Sequence, residues 1–470
     1  MTKVLESVHG CVWGLPTLVL IIGVGLYLTW VTRFAQLRLL PRALREFFRK
    51  LRKGTVEAGA VSPFQALCTA LAATVGTGNL VGVAGAICIG GPGSVFWMWV
   101  CGLLGMATKF AEATMAVRWR VRENGEYIGG PMYMISRGMG EKWRWLASLY
   151  SFFGIIAAFG VGNATQINAV ITGINGVLAR FGGSRTRQGD LLMGIVLAVL
   201  VGAMLLGGAR RIGQAAEKLV PVASVGYILL CTGVLLVRFD AVPGAFAMIF
   251  RGAFSPKAVT GGVVGSMLRS LRVGCSRGVF TNEAGMGTAS IAHASAQVSH
   301  PAEQGLMGIL EVFLDTILMC TLTALAILVS GTPISYGVDA GGQLTVAAFT
   351  AVYGDWAAVF IAAALCCFAF ATVLGWGLYG VRCAQFLFGP GSARYFAILQ
   401  TLTVVVSAVL ETGTVWLLAE IVNGLMAVPN LIALACLSQD LGRLVTQYER
   451  KSGPGPVEVH YADFYQRQPL

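Results

Sequence analysis

The stretch Ala72-Ala73-Thr74-Val75-Gly76-Thr77-Gly78-Asn79-Leu80-Val81-Gly82 lies in the middle of an apolar run from about 62 to 89. Glycine weakens a helix by about 1 kcal/mol relative to alanine. Two glycines interleaved with Thr77 and Asn79 therefore predict a helix that unwinds near its centre. Unwound backbone in lipid leaves N–H and C=O groups unpaired, so it persists only where it lines a protein-enclosed site. A half-helix starting after Gly76 would point N–H groups and a positive dipole end into that site, which suits a carboxylate. A half-helix ending before it would offer the carbonyls from Ala72 to Val75 to a hard cation, with Na⁺ the natural candidate. Close helix packing would account for Gly78 and Gly82 alone, but not for the polar residues clustered with them. A nucleotide loop is a poor match, because Gly76-Thr77-Gly78 lacks the further glycine and the preceding strand.

The rest of the chain places this stretch in a bilayer. The 470 residues are 56% hydrophobic and 12% charged, with a mean hydropathy of +0.72. Soluble domains carry about 25% charged residues, and lipid excludes charge for want of solvation. The net charge of +12 is concentrated in short links between apolar runs, which excludes a nucleic-acid-binding face. The eleven cysteines follow no metal-ligand spacing and no disulfide framework, so no disulfide and no transition metal is expected. Only Lys3 precedes the first apolar run, whereas Arg33, Arg38, Arg42, Arg45, Arg49, Lys50, Arg52 and Lys53 follow it. That asymmetry predicts an uncleaved span with the N-terminus outside and the basic linker in the cytoplasm.

Windows of about 19 residues give about eleven spans, near 12–31, 62–89, 93–117, 146–174, 190–208, 218–237, 260–290, 305–330, 344–381, 394–412 and 415–437. The links 32–61, 118–145 and 209–217 are rich in Arg and Lys, as is the tail after 440, and the link 331–343 has none. An odd number of spans puts the C-terminus in the cytoplasm, with a disordered tail from Gly453. After the first span, the other ten divide into two groups of five, so the second group enters from the opposite side. The expected fold is an all-α polytopic membrane protein with a five-plus-five inverted repeat and one extra N-terminal helix. Its units are 1–60 (extra helix and basic linker), 61–238 and 239–440 (the two repeats) and 441–470 (the tail).

The leading span of the second half is expected to break as well, at Arg272-Val273-Gly274-Cys275-Ser276-Arg277-Gly278-Val279-Phe280, ahead of Thr281-Asn282-Glu283-Ala284-Gly285. Paired interruptions at matching depth point to a transport site.

Several further stretches carry a resemblance. They are Gly76-Thr77-Gly78-Asn79, Gly90-Gly91-Pro92-Gly93-Ser94-Val95-Phe96-Trp97-Met98-Trp99, Gly105-Met106-Ala107-Thr108-Lys109-Phe110-Ala111-Glu112, Gly129-Gly130-Pro131-Met132-Tyr133 and Arg277-Gly278-Val279-Phe280-Thr281-Asn282-Glu283-Ala284-Gly285. With them the chain resembles the alanine or glycine:cation symporter family from about 60 to 440. The resemblance implies a leucine-transporter-type fold, monomeric, in the cytoplasmic (inner) membrane, importing a small neutral amino acid with sodium and needing no other cofactor. It implies substrate contacts at Thr77, Gly78, Gln166, Phe280, Thr372 and Trp376. It places sodium at the carbonyls of Ala72 and Val75 with Ala371 and Thr372, and a second cation position near Thr74 and Asn79. Trp376, bulky between Gly375 and Gly377, is expected to cap a small pocket and so favour alanine or glycine.

Charges inside spans are costly and therefore informative. Lys109 and Glu112, one turn apart, are expected to pair locally. Glu311 and Asp315 at i, i+4 cannot pair with each other, and a structural or gating role is favoured over a proton relay. Arg269, Arg272 and Arg277 are expected to pair with carboxylates such as Glu283, and His293 to be structural. Proton coupling is the main alternative to sodium. A channel would need rings of like side chains or filter loops, and an enzyme a catalytic motif such as HExxH or a nucleophile elbow. Neither pattern is present.

Overall fold

A computed structural model describes residues 2–52, 61–123, 125–254, 258–260, 263–265, 267–338, 341–410 and 413–451. The tail from Gly453 and Lys53 of the basic linker lie outside the described residues. The fold is almost entirely helical. A short helix α1 (Thr2–Val12) leads into α2 (Leu15–Val31), and the basic amphipathic α3 is Leu40–Arg52. The first repeat region comprises α4 (Pro63–Thr74), α5 (Val83–Gly90), α6 (Gly93–Arg118), α7 (Arg144–Phe159), α8 (Thr165–Arg180), α9 (Arg187–Leu205) and α10 (Gly208–Val237). After α11 (Val242–Phe254), the second comprises α12 (Met267–Asn282), α13 (Thr288–Ala294), α14 (Pro301–Val312), α15 (Thr321–Val329), α16 (Gly341–Tyr353), α17 (Trp356–Phe388), α18 (Ser392–Val409) and α19 (Gly413–Cys436). The amphipathic α20 (Ser438–Lys451) follows. π-Helical segments, Gly78–Gly82, Gly160–Ala164 and the longer Phe313–Cys320, join α4 to α5, α7 to α8 and α14 to α15.

Among the described residues, nine helices are long and apolar enough to cross a membrane. A bent pair, Pro63–Thr74 with Gly78–Gly90, makes up to ten, and its two parts meet at 49°. Leu192, Val199, Leu229 and Leu236 are exposed, as lipid-facing side chains must be where no aqueous phase penalises them.

The two broken helices run antiparallel. Ser270 near the start of α12 donates to the Gly90 carbonyl at the end of α5 (2.5 Å), and Val61 ahead of α4 pairs with Ala296 just past α13. Each begins where the other ends, the arrangement an inverted repeat requires. The face holding Val61, Ala296 and Arg120 also carries the Arg- and Lys-rich α3, and the opposite face holds Gly90 and Ser270.

The second break is not where the glycines Gly274 and Gly278 suggest. Helix α12 continues through both to Asn282. The chain turns at Glu283 (φ 53°), Gly285 (φ 96°) and Gly287 (φ 77°). Gly274 and Gly278 are packing residues. A Cβ on Gly278 would lie 3.2 Å from Cys101 Cβ and 3.3 Å from Met98 Cα, and one on Gly274 would lie 2.7 Å from Trp97 Cβ. They let α12 press against α6 at a spacing that side chains would not allow.

Candidate functional site

At the first break, Val75 leaves α4 in an extended conformation (φ −75°, ψ 108°). Asn79, fully buried, holds the turn from inside. Its Oδ1 accepts from Gly76 N–H (2.9 Å), and its Nδ2 donates to the Asp315 carboxylate (2.8 Å) and carbonyl (3.1 Å). The side chain thus replaces a backbone partner that the unwound turn cannot supply. Its oxygen is engaged by Gly76 N–H, and Thr74 Oγ1 donates to Ala70 O within its own helix (3.2 Å). Gly78 faces Thr281 of the other broken helix, whose Cα would lie 3.3 Å from an added Cβ.

At the carbonyl end of α4, Thr372 Oγ1 lies 3.0 Å from Ala72 O and 3.0 Å from Phe368 O. Phe368 O lies inside α17, and the Thr372 hydroxyl back-bonds it across one turn, whereas Ala72 O has lost its helical donor because Gly76 N–H goes to Asn79 Oδ1. Ala371 and the Val75 side chain are buried beside them. Gln166 of α8 donates to Thr77 Oγ1 (3.3 Å) and to Val161 O (3.2 Å). Its Oε1 is buried without a hydrogen-bond partner and would lie 3.8 Å from a Cβ on Gly76.

A cavity of about 770 Å³ opens from this level toward the face opposite α3. Thr77 and Phe280 are in its wall, with Asn168, Thr172, Gln343 and Thr345 above them. Among the expected substrate contacts, Thr77 and Phe280 therefore face the cavity, and Gln166 and Thr372 stand directly behind the break. Trp376 lies outside the cavity wall. It is 1% exposed, packs against Gly162, and donates its indole N–H to Glu283 Oε1 (3.0 Å) at the second break.

The second break is braced by a carboxylate. Glu112 Oε1 accepts from the N–H groups of Gly285 (2.9 Å) and Gly287 (3.0 Å) and from Asn430 Nδ2 (2.7 Å). Glu112 does not pair with Lys109. Lys109 Nζ instead lies 2.9 Å from Glu311 Oε1, and Glu311 Oε2 is 2.9 Å from His293 Nε2. The i, i+3 spacing brings Lys109 and Glu112 onto one helix side, but each finds a better-placed partner on another helix. Glu283, expected beside an arginine, bonds Thr288 and Trp376 instead, and Arg277 faces Glu420 of α19 (3.6 Å). Arg277 and Glu420 both line the cavity. Sequence reasoning passed over Glu420, although an acid inside an apolar run was the signal that could have marked it.

The chain matches the sodium:alanine symporter family over residues 1–461. The chain belongs to that family. It is 41% identical over 441 residues to the sodium/alanine symporter AgcS of Methanococcus maripaludis, covering 93% of this chain and 94% of that one. An uncharacterized transporter of Haemophilus influenzae is 42% identical over 436 residues, 92% of each chain. The probable sodium/glutamine symporter GlnT of Bacillus subtilis is 35% identical over 471 residues, covering 98% of this chain and 95% of that one. The solved structure of MhsT in complex with L-phenylalanine matches with a TM-score of 0.56 at 12% identity, over 82% of this chain and 97% of that one. That likeness establishes the leucine-transporter-type fold. As a member of the sodium:alanine symporter family, the protein is a multi-pass membrane symporter for amino acids and not an enzyme.

Proposed function

We propose that the protein imports a small neutral amino acid, alanine or glycine, together with sodium, by alternating access across the cytoplasmic membrane. In this reading the N-terminus and the cavity face outward and the C-terminus is cytoplasmic, as the Arg- and Lys-rich links at the opposite face favour. The observation that carries the coupling ion is the Ala72 carbonyl, without its helical donor at the end of α4, with Thr372 Oγ1 3.0 Å away. A free carbonyl at a helix C-terminus beside a hydroxyl oxygen offers uncharged oxygens that suit a hard monovalent cation. The substrate carboxylate takes the positive end of the half-helix at Thr77 and Gly78, and the lone acceptor Gln166 Oε1 suits its ammonium group. Family membership and the sodium/alanine relative support the cargo, while the glutamine relative makes glutamine the substrate to compare.

The test is uptake of labelled alanine, glycine and glutamine into proteoliposomes, with sodium and proton gradients imposed separately. The expected result is sodium-driven uptake of alanine or glycine. Uptake driven by protons without sodium would overturn the ion, and uptake of glutamine alone would overturn the cargo.

A further inference from the structure

The chain leaves the span α2 by a tight turn into an arginine-rich helix. Arg33 and Phe34 both take left-handed backbone (φ 55° and 58°), directly after α2 ends at Val31. The Arg38 guanidinium closes the turn by donating to the Arg33 carbonyl (2.6 Å) and the Thr32 carbonyl (3.2 Å), which the helix end leaves without donors. From Arg33 to Lys53 the sequence holds eight basic residues and one acid, Glu46. Helix α3 has two faces. Leu40, Ala43, Leu44 and Phe47, at helical spacing, turn toward the protein, where α3 packs on α14 and Phe47 meets Phe64 of α4 with ring centroids 5.8 Å apart. Arg45, Phe48 and Arg49 lie on the other face, uncovered, with Phe48 61% exposed. Phe34 and Leu37 in the connection before it are about half exposed. Arg42 stacks on Tyr448 (4.3 Å) and Arg38 pairs with Glu449 (2.8 Å), both of α20. Arg49 pairs with Glu46, while Arg33 and Arg45 have no ion-pair partner among the described residues.

We infer that the uncovered face of α3, with the turn before it, binds the headgroups of anionic phospholipids at the membrane surface. Arginine is excluded from hydrocarbon, and Phe34, Leu37 and Phe48 gain nothing from water, so a face that mixes them fits the boundary between the two. A guanidinium takes two phosphate oxygens at once. A zwitterionic headgroup sets an ammonium beside its phosphate, which a cluster of arginines repels. An anionic lipid carries no such group and is the class that fits. Because its other face is fixed to α14 and α4, α3 presents these side chains as a preformed surface at the foot of the first broken helix. The inference rests on neither the cargo nor the coupling ion.

The test reads contact directly and needs no substrate. The full chain is reconstituted in phosphatidylcholine vesicles holding a small fraction of a photoactivatable lipid. That probe is either phosphatidylglycerol or phosphatidylcholine, with the same reactive group close to the headgroup. After illumination, cross-links to residues 33–49 are measured by mass spectrometry and referred to those on the lipid-facing side of α9, around Leu192 and Val199. The phosphatidylglycerol probe is expected to label 33–49 several-fold more than the phosphatidylcholine probe, and the preference to shrink at high salt. The joint variant Arg33→Gln, Arg45→Gln and Arg49→Gln should label equally with both probes at 33–49, with labelling of α9 unchanged. Equal labelling by the two probes in the native chain, or an undiminished preference in the joint variant, would overturn the inference. If the joint variant does not fold, the comparison of the two probes on the native chain decides alone.

Discussion

Lys109 Nζ and Glu311 Oε1 stand 2.9 Å apart with both side chains wholly sealed from solvent, tying α6 to α14 across the interior. Removing one partner of such a pair leaves a bare buried charge, at a cost of about 3–5 kcal/mol, whereas replacing both by apolar groups is often neutral. Lys109→Met and Glu311→Met should each lower thermal stability in detergent steeply. The double variant should recover most of the loss. A loss in the double variant equal to the sum of the two single losses would show that the pair is not coupled.

Glu112 should act as an acceptor more than as a charge. Its Oε1 serves two backbone N–H groups in the turn that breaks α12 from α13. Glu112→Gln keeps a carbonyl oxygen, while Glu112→Leu orphans both donors at about 1–3 kcal/mol each. The melting temperature should therefore fall far more for Leu than for Gln, and transport should follow the same order.

How much of this was legible follows from where the information lies. The first break was readable because its reasons are local: Gly76, Gly78 and Asn79 lie within four positions, and Asn79 folds back on Gly76 N–H. The second was misplaced by a few residues because glycine serves two purposes. Gly274 and Gly278 lie one turn apart on the face toward α6 and admit its backbone, while the turn comes from Glu283 to Gly287. The brace at Glu112 is 173 residues from Gly285, and no local pattern announces a contact at that range. The same holds for Lys109, whose near neighbour Glu112 looked like a partner until α14 brought Glu311 closer.

The packing role of glycine is tested by setting a crowded glycine against an uncrowded one. An added methyl at Gly274 meets Ser94 O and Trp97 Cβ, whereas at Gly82 nothing lies within 4 Å. Gly274→Ala should cost about 1–3 kcal/mol as overpacking, and Gly82→Ala should be near neutral or slightly stabilising. Thermal unfolding of the two single variants checks this, and a comparable loss in both would assign the glycines a common role.

Thr372 provides the sharpest test of the ion. Thr372→Ser keeps the hydroxyl between Ala72 O and Phe368 O, while Thr372→Val keeps the shape and removes the oxygen. Val adds no hydrogen-bond donor, so the Ala72 carbonyl remains available and only the hydroxyl oxygen is lost. If that oxygen contacts the cation, half-saturation by sodium should rise about tenfold or more in Thr372→Val, equivalent to about 1.4 kcal/mol, and little in Thr372→Ser. The measurement is initial uptake against sodium concentration at saturating substrate. The maximal rate in Val should recover at high sodium, because a weakened ion site is refilled by mass action. A structural role would instead lower the maximal rate in Val without moving the half-saturation point, and would remove Thr372 from the cation's contacts.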